Sequence, residues 1–387
     1  MSASPTGRAE EQFDVAIIGS GQAGGPLASA FARAGRSTVL IERKHIGGTC
    51  VNEGCTPTKT LIASGAVAWR ARRGAEFGIE TGTVAADMPA IRDRVAGVVK
   101  IWREGSESGI FETEGLTFIK GQARFVGPKQ LQVALEDGGS RTLTAETIVI
   151  NVGERPGPLR GDVAPETPIL TSTSILQLDT LPRHLIVVGG GYVGLEFGQV
   201  FRRLGSEVTI VQHGKQLLPR EDPDIAAAIQ QILDEDGIAI HLNAGAERVE
   251  PTASGVSVTL RTPDGTSTIE GSHLLAAAGR IPNTDDLGLA AAGIEADAKG
   301  YIPTSDTLET NVPGIYAVGD VRPGPKFTHI SYDDYRVLQT NLIEGGHRSI
   351  TGRQEPYTVF TEPQLGRIGL TETQAKAQGI AFRVAEM

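Results

Sequence analysis

The chain has 387 residues, too many for one ordinary core and enough for two or three domains. Its 40% hydrophobic and 21% charged residues and its 49 glycines describe a globular α/β protein with many tight turns, not a disordered or fibrous one. A formal charge of −10 without any basic run interleaved with aromatics excludes a nucleic-acid partner, and neither a secretory leader in MSASPTGRAEEQF nor a membrane-length apolar run is present, so the expected compartment is the cytoplasm.

In chain order, the first signal is the apolar run Phe13–Ile18, followed by Gly19, Gly21 and Gly24, a helix-like ASAFARAG, and a strand-like Ser37–Ile41 that ends at Glu42. This predicts a nucleotide-binding βαβ unit. Gly19 permits the tight turn off the strand, Gly21 lets a pyrophosphate approach the backbone, and Gly24 lets helix and strand pack closely. The helix N-terminus offers N–H donors to phosphate, and Glu42 falls where an acid meets a ribose hydroxyl.

Next comes Gly47-Gly48-Thr49-Cys50-Val51-Asn52-Glu53-Gly54-Cys55-Thr56-Pro57-Thr58-Lys59. Four residues separate the only two cysteines, a spacing that brings both sulfurs within bonding distance in a turn entering a helix, with Pro57 suited to that helix's first turn. A thiolate there has a lowered pKa and can act as a nucleophile or donate charge to an electron-poor ring. A four-ligand zinc site would need two more Cys or His at matching spacing, which the sequence lacks, so no metal site is expected.

Residues 115–150 read as short alternating strands of a β-meander. A second βαβ pattern then runs from Leu185–Val188 through Gly189, Gly191 and Gly194 and the helical LEFGQVFRRLG to Val208–Gln212, with Gly198 one turn beyond Gly194. Gln212, followed by His213 and Lys215, stands where an NAD-preferring site would place an acid, which leans toward the 2′-phosphate of NADP. The segment SGVSVTLRTPDGTSTIEG carries a hairpin signal at Asp264-Gly265. Pro- and Gly-rich stretches near 153–168 and 279–288 are expected domain crossings, and a new strand and helix pattern begins near 350.

With GGTCVNEGC, GGGYVGLE at Gly189–Glu196, LLAAAGRIPNT and TNVPGIYAVGD ending at Asp320, nearly the whole chain resembles, in order, the class I pyridine nucleotide–disulfide oxidoreductases, the family of lipoamide dehydrogenase, glutathione reductase and mercuric reductase. The resemblance implies an α/β fold with two Rossmann-like domains for FAD and for NADP or NAD, and a truncated α+β dimerisation domain. The implied division is 1–153 and 279–349 for the FAD and central parts, 154–278 for NAD(P), and 350–387 for the incomplete dimerisation domain. It places Gly19, Gly21, Gly24, Glu42, Gly48, Thr49, Lys59 and Asp320 at the flavin nucleotide, Asp320 on its ribityl chain. Gly189, Gly191, Gly194, Gln212 and Gly279 fall at the nicotinamide nucleotide. Lys59 and Glu196 would form an ion pair beside the flavin ring, Tyr192 would gate the nicotinamide pocket, Cys55 would be the flavin-proximal thiol and Cys50 the interchange thiol.

VNEGCTPTKT and FTHISYDDYRV resemble the mercuric-reductase-like branch, which implies a small disulfide or a metal ion such as Hg(II) as acceptor. Copper-reducing flavoproteins of reactive-chlorine resistance share similar segments. The extra C-terminal cysteine pair of mercuric reductases is missing from the sequence. The family expectation is a homodimer whose C-terminal domain carries a His-x-x-x-x-Glu pair. None of the seven histidines precedes a glutamate at that spacing, so the acid–base group is expected to be missing. Two other readings stand beside this one: an NAD(P)H oxidase or diaphorase with incidental cysteines, and a redox-sensing flavoprotein without full turnover.

Overall fold

The computed structural model describes residues 10–387. The chain divides into two compact units: one holds the chain up to Thr56 with Val98–Arg155 and Ile281–Arg353, the other holds Pro57–Gly97, Pro156–Arg280 and Gln354–Met387.

In the first unit, β1 (Glu11–Ile18) runs parallel to β2 (Thr38–Glu42), with Val15 opposite Thr38 and Ile18 opposite Ile41. Two longer strands each pair in both orientations within one six-stranded sheet. β3 (Leu116–Gly127) pairs parallel with β2 through Leu116–Lys120, then turns antiparallel to β4 (Gln130–Leu135). The turning point is Gly121, where a Cβ would lie 2.5 Å from the Ala134 carbonyl oxygen. β5 (Ser140–Ile150) pairs with β4 first and then parallel with β1, and Ile315–Ala317 adds to its far edge. The meander expected over 115–150 is therefore present, and its outer strands also complete the parallel sheet. Period-two alternation sends Ala16, Ile18, Val39, Ile41, Phe125, Leu131 and Ile148 to one face, and Val15, Ile17, Leu40 and Val149 to the other. Helices α1 (Gly24–Arg33) and α7 (Thr328–Leu342) cover the second face through Leu27, Phe31, Val337 and Leu338.

The second unit repeats the plan. Its parallel strands follow the spatial order Ala239–His241, Glu207–Val211, His184–Val188, His273–Ala276, Ile169–Leu170. An antiparallel sheet of Gly245–Thr252, Gly255–Thr262 and Gly265–Gly271 follows. Thr262 pairs with Gly265, so the hairpin loop is Pro263-Asp264 and Gly265 is the first strand residue, one step earlier than the Asp-Gly signal suggests. Proline presets φ for the first loop position, and Gly265 takes the left-handed φ of +127°. Helix α5 (Tyr192–Leu204) and α6 (Pro223–Glu235) lie in this unit, and Leu195, Phe197 and Phe201 of α5 share a core with Leu185, Val187 and Ile210.

Helix α3 (Cys55–Arg72) packs Gly65 so closely on α5 that a Cβ would sit 2.7 Å from Val200 Cγ2. Helix α4 (Met88–Phe111) has no counterpart in the sequence reading, because Gly97, Gly105 and Gly109 interrupt it and lower its helix propensity. The pattern read from about 350 is an antiparallel pair, Tyr357–Val359 with Leu365–Arg367, and α8 (Glu372–Ala377), which starts in a capping box between Thr371 and Gln374. Among the described residues no helix is long and apolar enough to cross a membrane.

A buried ion pair closes the second unit's helix ends around a cavity of about 230 Å³. Arg203, 5% exposed, donates Nε to Asp236 Oδ2 at 2.9 Å, and the same carboxylate accepts from Trp69 Nε1 at 3.2 Å and Gln199 Nε2 at 2.9 Å. Arg203 also pairs with Glu362 Oε2 at 2.9 Å, so loss of Asp236 leaves the guanidinium one carboxylate and removes an acceptor from Trp69 and Gln199. Asp236→Ala is expected to lower unfolding free energy by about 1–3 kcal/mol in urea titrations, and an unchanged stability would contradict the assignment.

Candidate active site

The turn after β1 admits no side chains. Gly19 sits at φ +97°, and a Cβ there would be 2.4 Å from the Asn151 carbonyl oxygen; one on Gly24 would be 2.0 Å from the Gly19 oxygen, and one on Gly21 2.8 Å from Asn151 Oδ1. Asn151, which the sequence reading passed over, pins the turn: its Oδ1 accepts from the Gly24 N–H at 2.9 Å and its Nδ2 donates to the Val318 carbonyl at 3.0 Å. The available signal was a lone amide at the end of the apolar strand TIVI. Glu42 is buried, with Oε2 accepting from the Ser20 N–H (2.9 Å) and hydroxyl (2.7 Å) and Oε1 from the Lys44 N–H (2.8 Å).

The second unit builds the same turn. Gly189 has φ +124°, a Cβ there would meet the Ala277 oxygen at 2.4 Å, and one on Gly194 would meet the Gly189 oxygen at 2.0 Å, while Gly191 faces open space. Gln212 takes the place of Glu42: its Oε1 accepts from the Gly190 N–H at 3.1 Å and its Nε2 donates to the Gln216 carbonyl. His213 and Lys215 are exposed just beyond it. Tyr192 is half-buried in the first turn of α5, and Gly279 is exposed, its carbonyl accepting from the Gly157 N–H at 3.0 Å. Neither α1 nor α5 has an acid in its first turn, so both N-termini keep their partial positive charge for a phosphate. Both turns thus fit a dinucleotide diphosphate.

The cysteine segment lies directly on the first turn. Gly48, at φ +62°, approaches so closely that a Cβ would lie 2.7 Å from Gly21 Cα. It opens α2 (Gly48–Asn52), whose exposed Thr49 accepts the Glu53 N–H through its carbonyl at 2.8 Å. Asn52 braces the turn, donating to the Ile46 and Gly48 carbonyls at 2.9 Å and accepting from Arg103 Nε at 2.7 Å. Cys50 is half-buried and Cys55 exposed, and no disulfide joins them here. The hydrogen bond between the two thiols, and then burial, push Cys50 above the usual thiol range. Cys55 Sγ also lies 3.1 Å from the Thr328 hydroxyl.

Asp320 sits in the turn after Ile315–Ala317. Gly319 (φ +71°) donates its N–H to Asp334 Oδ2 at 2.8 Å, and fully buried Asp334 also pairs with Arg322 (3.1 Å) and Arg353 (2.7 Å). Lys326 donates to the Asp320 carbonyl at 2.8 Å, lies 3.7 Å from Glu154 and covers the Tyr301 ring at 3.9 Å, and burial lowers its pKa. Gly21, Gly48, Asn151, both cysteines and the Asp320 turn are therefore contiguous within the first unit. Lys59, Glu196, Tyr192 and the second glycine turn belong to the other. There Lys59 Nζ bonds Glu196 Oε2 at 2.6 Å, and Glu196, 4% exposed, accepts the Phe360 N–H at 3.0 Å through Oε1. Lys59 Nζ also lies 4.5 Å from the centre of the Phe360 ring, a contact that the sequence reading missed because Phe360 follows 164 residues after Glu196.

Residues 13–334 match the family described as pyridine nucleotide-disulphide oxidoreductase. The chain belongs to this family. A mercuric reductase of Streptomyces lividans is 36% identical over 97% of the chain and 79% of that protein. The mitochondrial dihydrolipoyl dehydrogenase 1 of Arabidopsis thaliana is 35% identical over 97% of the chain and 75% of that protein. Among solved structures, the Cu(II) complex of the HOCl-induced flavoprotein disulfide reductase RclA of Escherichia coli superposes with a TM-score of 0.85 at 35% identity, over 95% of this chain and 80% of that one. LpdA of Mycobacterium tuberculosis gives 0.86 at 30% identity, over 96% and 81%. This pyridine nucleotide-disulphide oxidoreductase is an FAD-dependent enzyme that uses a nicotinamide nucleotide.

The glycine geometry makes a paired test. Overpacking costs about 1–3 kcal/mol, so Gly24→Ala is expected to weaken FAD retention by roughly tenfold to a hundredfold. Gly25→Ala, whose Cβ would find ordinary contacts of 3.5 Å and beyond, is expected to bind FAD like the parent. Equal FAD content in the two variants, measured by flavin release, would contradict the close-approach account.

Proposed function

We propose that the enzyme carries electrons from NAD(P)H through FAD to the Cys50–Cys55 pair, and from there to a small disulfide or a metal ion such as Hg(II). The observation that carries this reading is the facing pair of thiols on a turn whose backbone touches the first nucleotide turn at Gly21. FAD, when bound, would supply a carrier that takes hydride from the nicotinamide and delivers two electrons to the disulfide.

The residues divide the work. Backbone N–H groups of the turn at Gly19, Gly21 and Gly24 and the α1 N-terminus hold a diphosphate, Glu42 takes a ribose hydroxyl and Asp320 the ribityl chain. Gly48 and Thr49 place the cysteine turn. The Lys59–Glu196 pair keeps one ammonium fixed by a buried carboxylate, so its charge stays in place while the thiols change charge. In the second unit Gly189, Gly191, Gly194 and Gly279 receive the nicotinamide nucleotide and Tyr192 gates its pocket. Neutral Gln212 with exposed His213 and Lys215 favours NADPH over NADH, since no carboxylate repels a 2′-phosphate there. As the family resemblance implies, Cys55 would face the flavin and Cys50 would exchange with the acceptor.

Copper is a second acceptor to weigh, supported by the likeness to RclA, whose solved structure is a Cu(II) complex. Cys50→Ser and Cys55→Ser are each expected to retain FAD and its reduction by NADPH while losing turnover with oxidised lipoamide, glutathione disulfide, Hg(II) or Cu(II). Full turnover in either variant with every acceptor would sink the reading and favour an NAD(P)H oxidase or diaphorase in which the cysteines are incidental.

A further inference from the structure

The loop between Gln212 and α6 is fastened at both ends, and only one end belongs to the nucleotide turn. On that side Leu218 donates its N–H to the Gly190 carbonyl at 2.9 Å, and fully buried Leu217 packs so closely that a Cβ on Gly190 would lie 2.7 Å from its Cδ2. Gln212 Nε2 donates to the Gln216 carbonyl, and Gln216 Nε2 to the Glu221 carbonyl at 3.0 Å, so the loop is laced along its length. Within it Leu218 takes a left-handed φ of +44°, a conformation that a leucine keeps only where its surroundings impose it.

The other end is held from the C-terminal part of the chain. Glu221, whose side chain is 3% exposed, accepts the Tyr357 hydroxyl and lies 3.6 Å from Arg367 Nε. Tyr357 and Arg367 face each other across the antiparallel strand pair, with the guanidinium 4.9 Å from the ring centre. Arg367 Nε and Nη1 are buried without a hydrogen-bond partner among the described residues, which makes the Glu221 carboxylate their counter-charge. Burial, and then the Glu221 carboxylate, push the Tyr357 hydroxyl above the usual phenol range, so it remains a donor at neutral pH. Asp222 stands at the N-cap of α6 but does not cap it. Its Oδ2 accepts the Glu372 N–H at 2.7 Å and its Oδ1 the Thr373 N–H at 3.2 Å, in the first turn of α8. Two adjacent carboxylates of the loop are thus committed to the C-terminal segment.

We infer that Glu221 is a positioning residue for the nicotinamide nucleotide: held by Tyr357 and Arg367, it fixes the loop that presents His213 and Lys215 and so sets the preference for a 2′-phosphate. This rests on the NADPH reading proposed above and goes beyond it by giving the C-terminal segment a part in nucleotide choice. The path is short, since the Glu221 N–H bonds the Leu218 carbonyl at 2.9 Å and the Leu218 N–H bonds Gly190. Specificity is a difference of affinities, so a displaced loop costs the nucleotide that uses its charges more than the one that does not.

The test measures kcat/KM for NADPH and for NADH on the FAD-loaded enzyme, with a dye as electron acceptor. The ratio of the two, taken on one sample, does not depend on the fraction of enzyme that is active. A displacement of about 1 Å in a positioned group can cost on the order of a hundredfold, and here the loop keeps its anchor at Gly190. Glu221→Ala is therefore expected to lower the NADPH-to-NADH ratio by about threefold to tenfold, through KM for NADPH, with kcat within about twofold of the parent. Tyr357→Phe keeps the ring beside Arg367 and removes the donor, so its ratio is expected to fall by about twofold to threefold; it decides the matter if Glu221→Ala does not hold FAD. An unchanged ratio, including equal losses with both nucleotides, overturns the inference and leaves the NADPH reading standing. A parent enzyme that does not favour NADPH overturns that reading, and this inference with it.

Discussion

The constraint that governs the site is backbone against backbone: Gly48 lies so near Gly21 that a methyl group on it would overlap the Gly21 Cα at 2.7 Å. A nucleotide-binding turn and a dithiol turn can share one place only if neither brings a side chain to the contact. Asn151 then ties the nucleotide turn to the strand beyond it, and its amide also reaches toward Gly319, before the Asp320 turn. Asp334 holds that turn with one buried carboxylate against Arg322 and Arg353. The dithiol, the diphosphate cradle and the carboxylate assigned to the ribityl chain are thus positioned by a short chain of buried polar contacts, each satisfied by its neighbour.

The two units show how one device serves two ligands. In each, a glycine with positive φ leaves the strand, a glycine five residues later packs on its carbonyl, and the side chain ending the next strand accepts an N–H from the residue between. That last side chain is a carboxylate in one unit and an amide in the other. Glu42 can offer its negative charge to a ribose, whereas Gln212 gives the same brace with no charge, and a phosphate is not repelled.

Much of this was legible in the residues because the determining features are local. Glycine spacing after an apolar strand reports a backbone that must turn and be approached closely, and the paired cysteines report a turn that must bring two sulfurs together. The layered α/β plan followed from the same strand–glycine–helix–strand order, and the meander from its period-two alternation. What escaped is held by distant partners. Asn151 contacts residues 127 positions earlier and 167 later, and Phe360 meets Glu196 across 164 positions. Nothing in a single sequence marks those contacts beyond a polar residue at a strand end or an aromatic just after a short strand. Helix α4 escaped for the opposite reason, since its glycines argue locally against the helix that packing stabilises.

The central claim is that electrons do not stop at the flavin but reach the cysteine pair. Electron stoichiometry tests it most directly: under anaerobic conditions, enzyme with the pair oxidised is titrated with a reductant of known strength while free thiols are counted after denaturation. Because flavin and disulfide each take two electrons, the account predicts four electrons per FAD at full reduction, with two new thiols per chain. An end point of two electrons, with no new thiols, would contradict it.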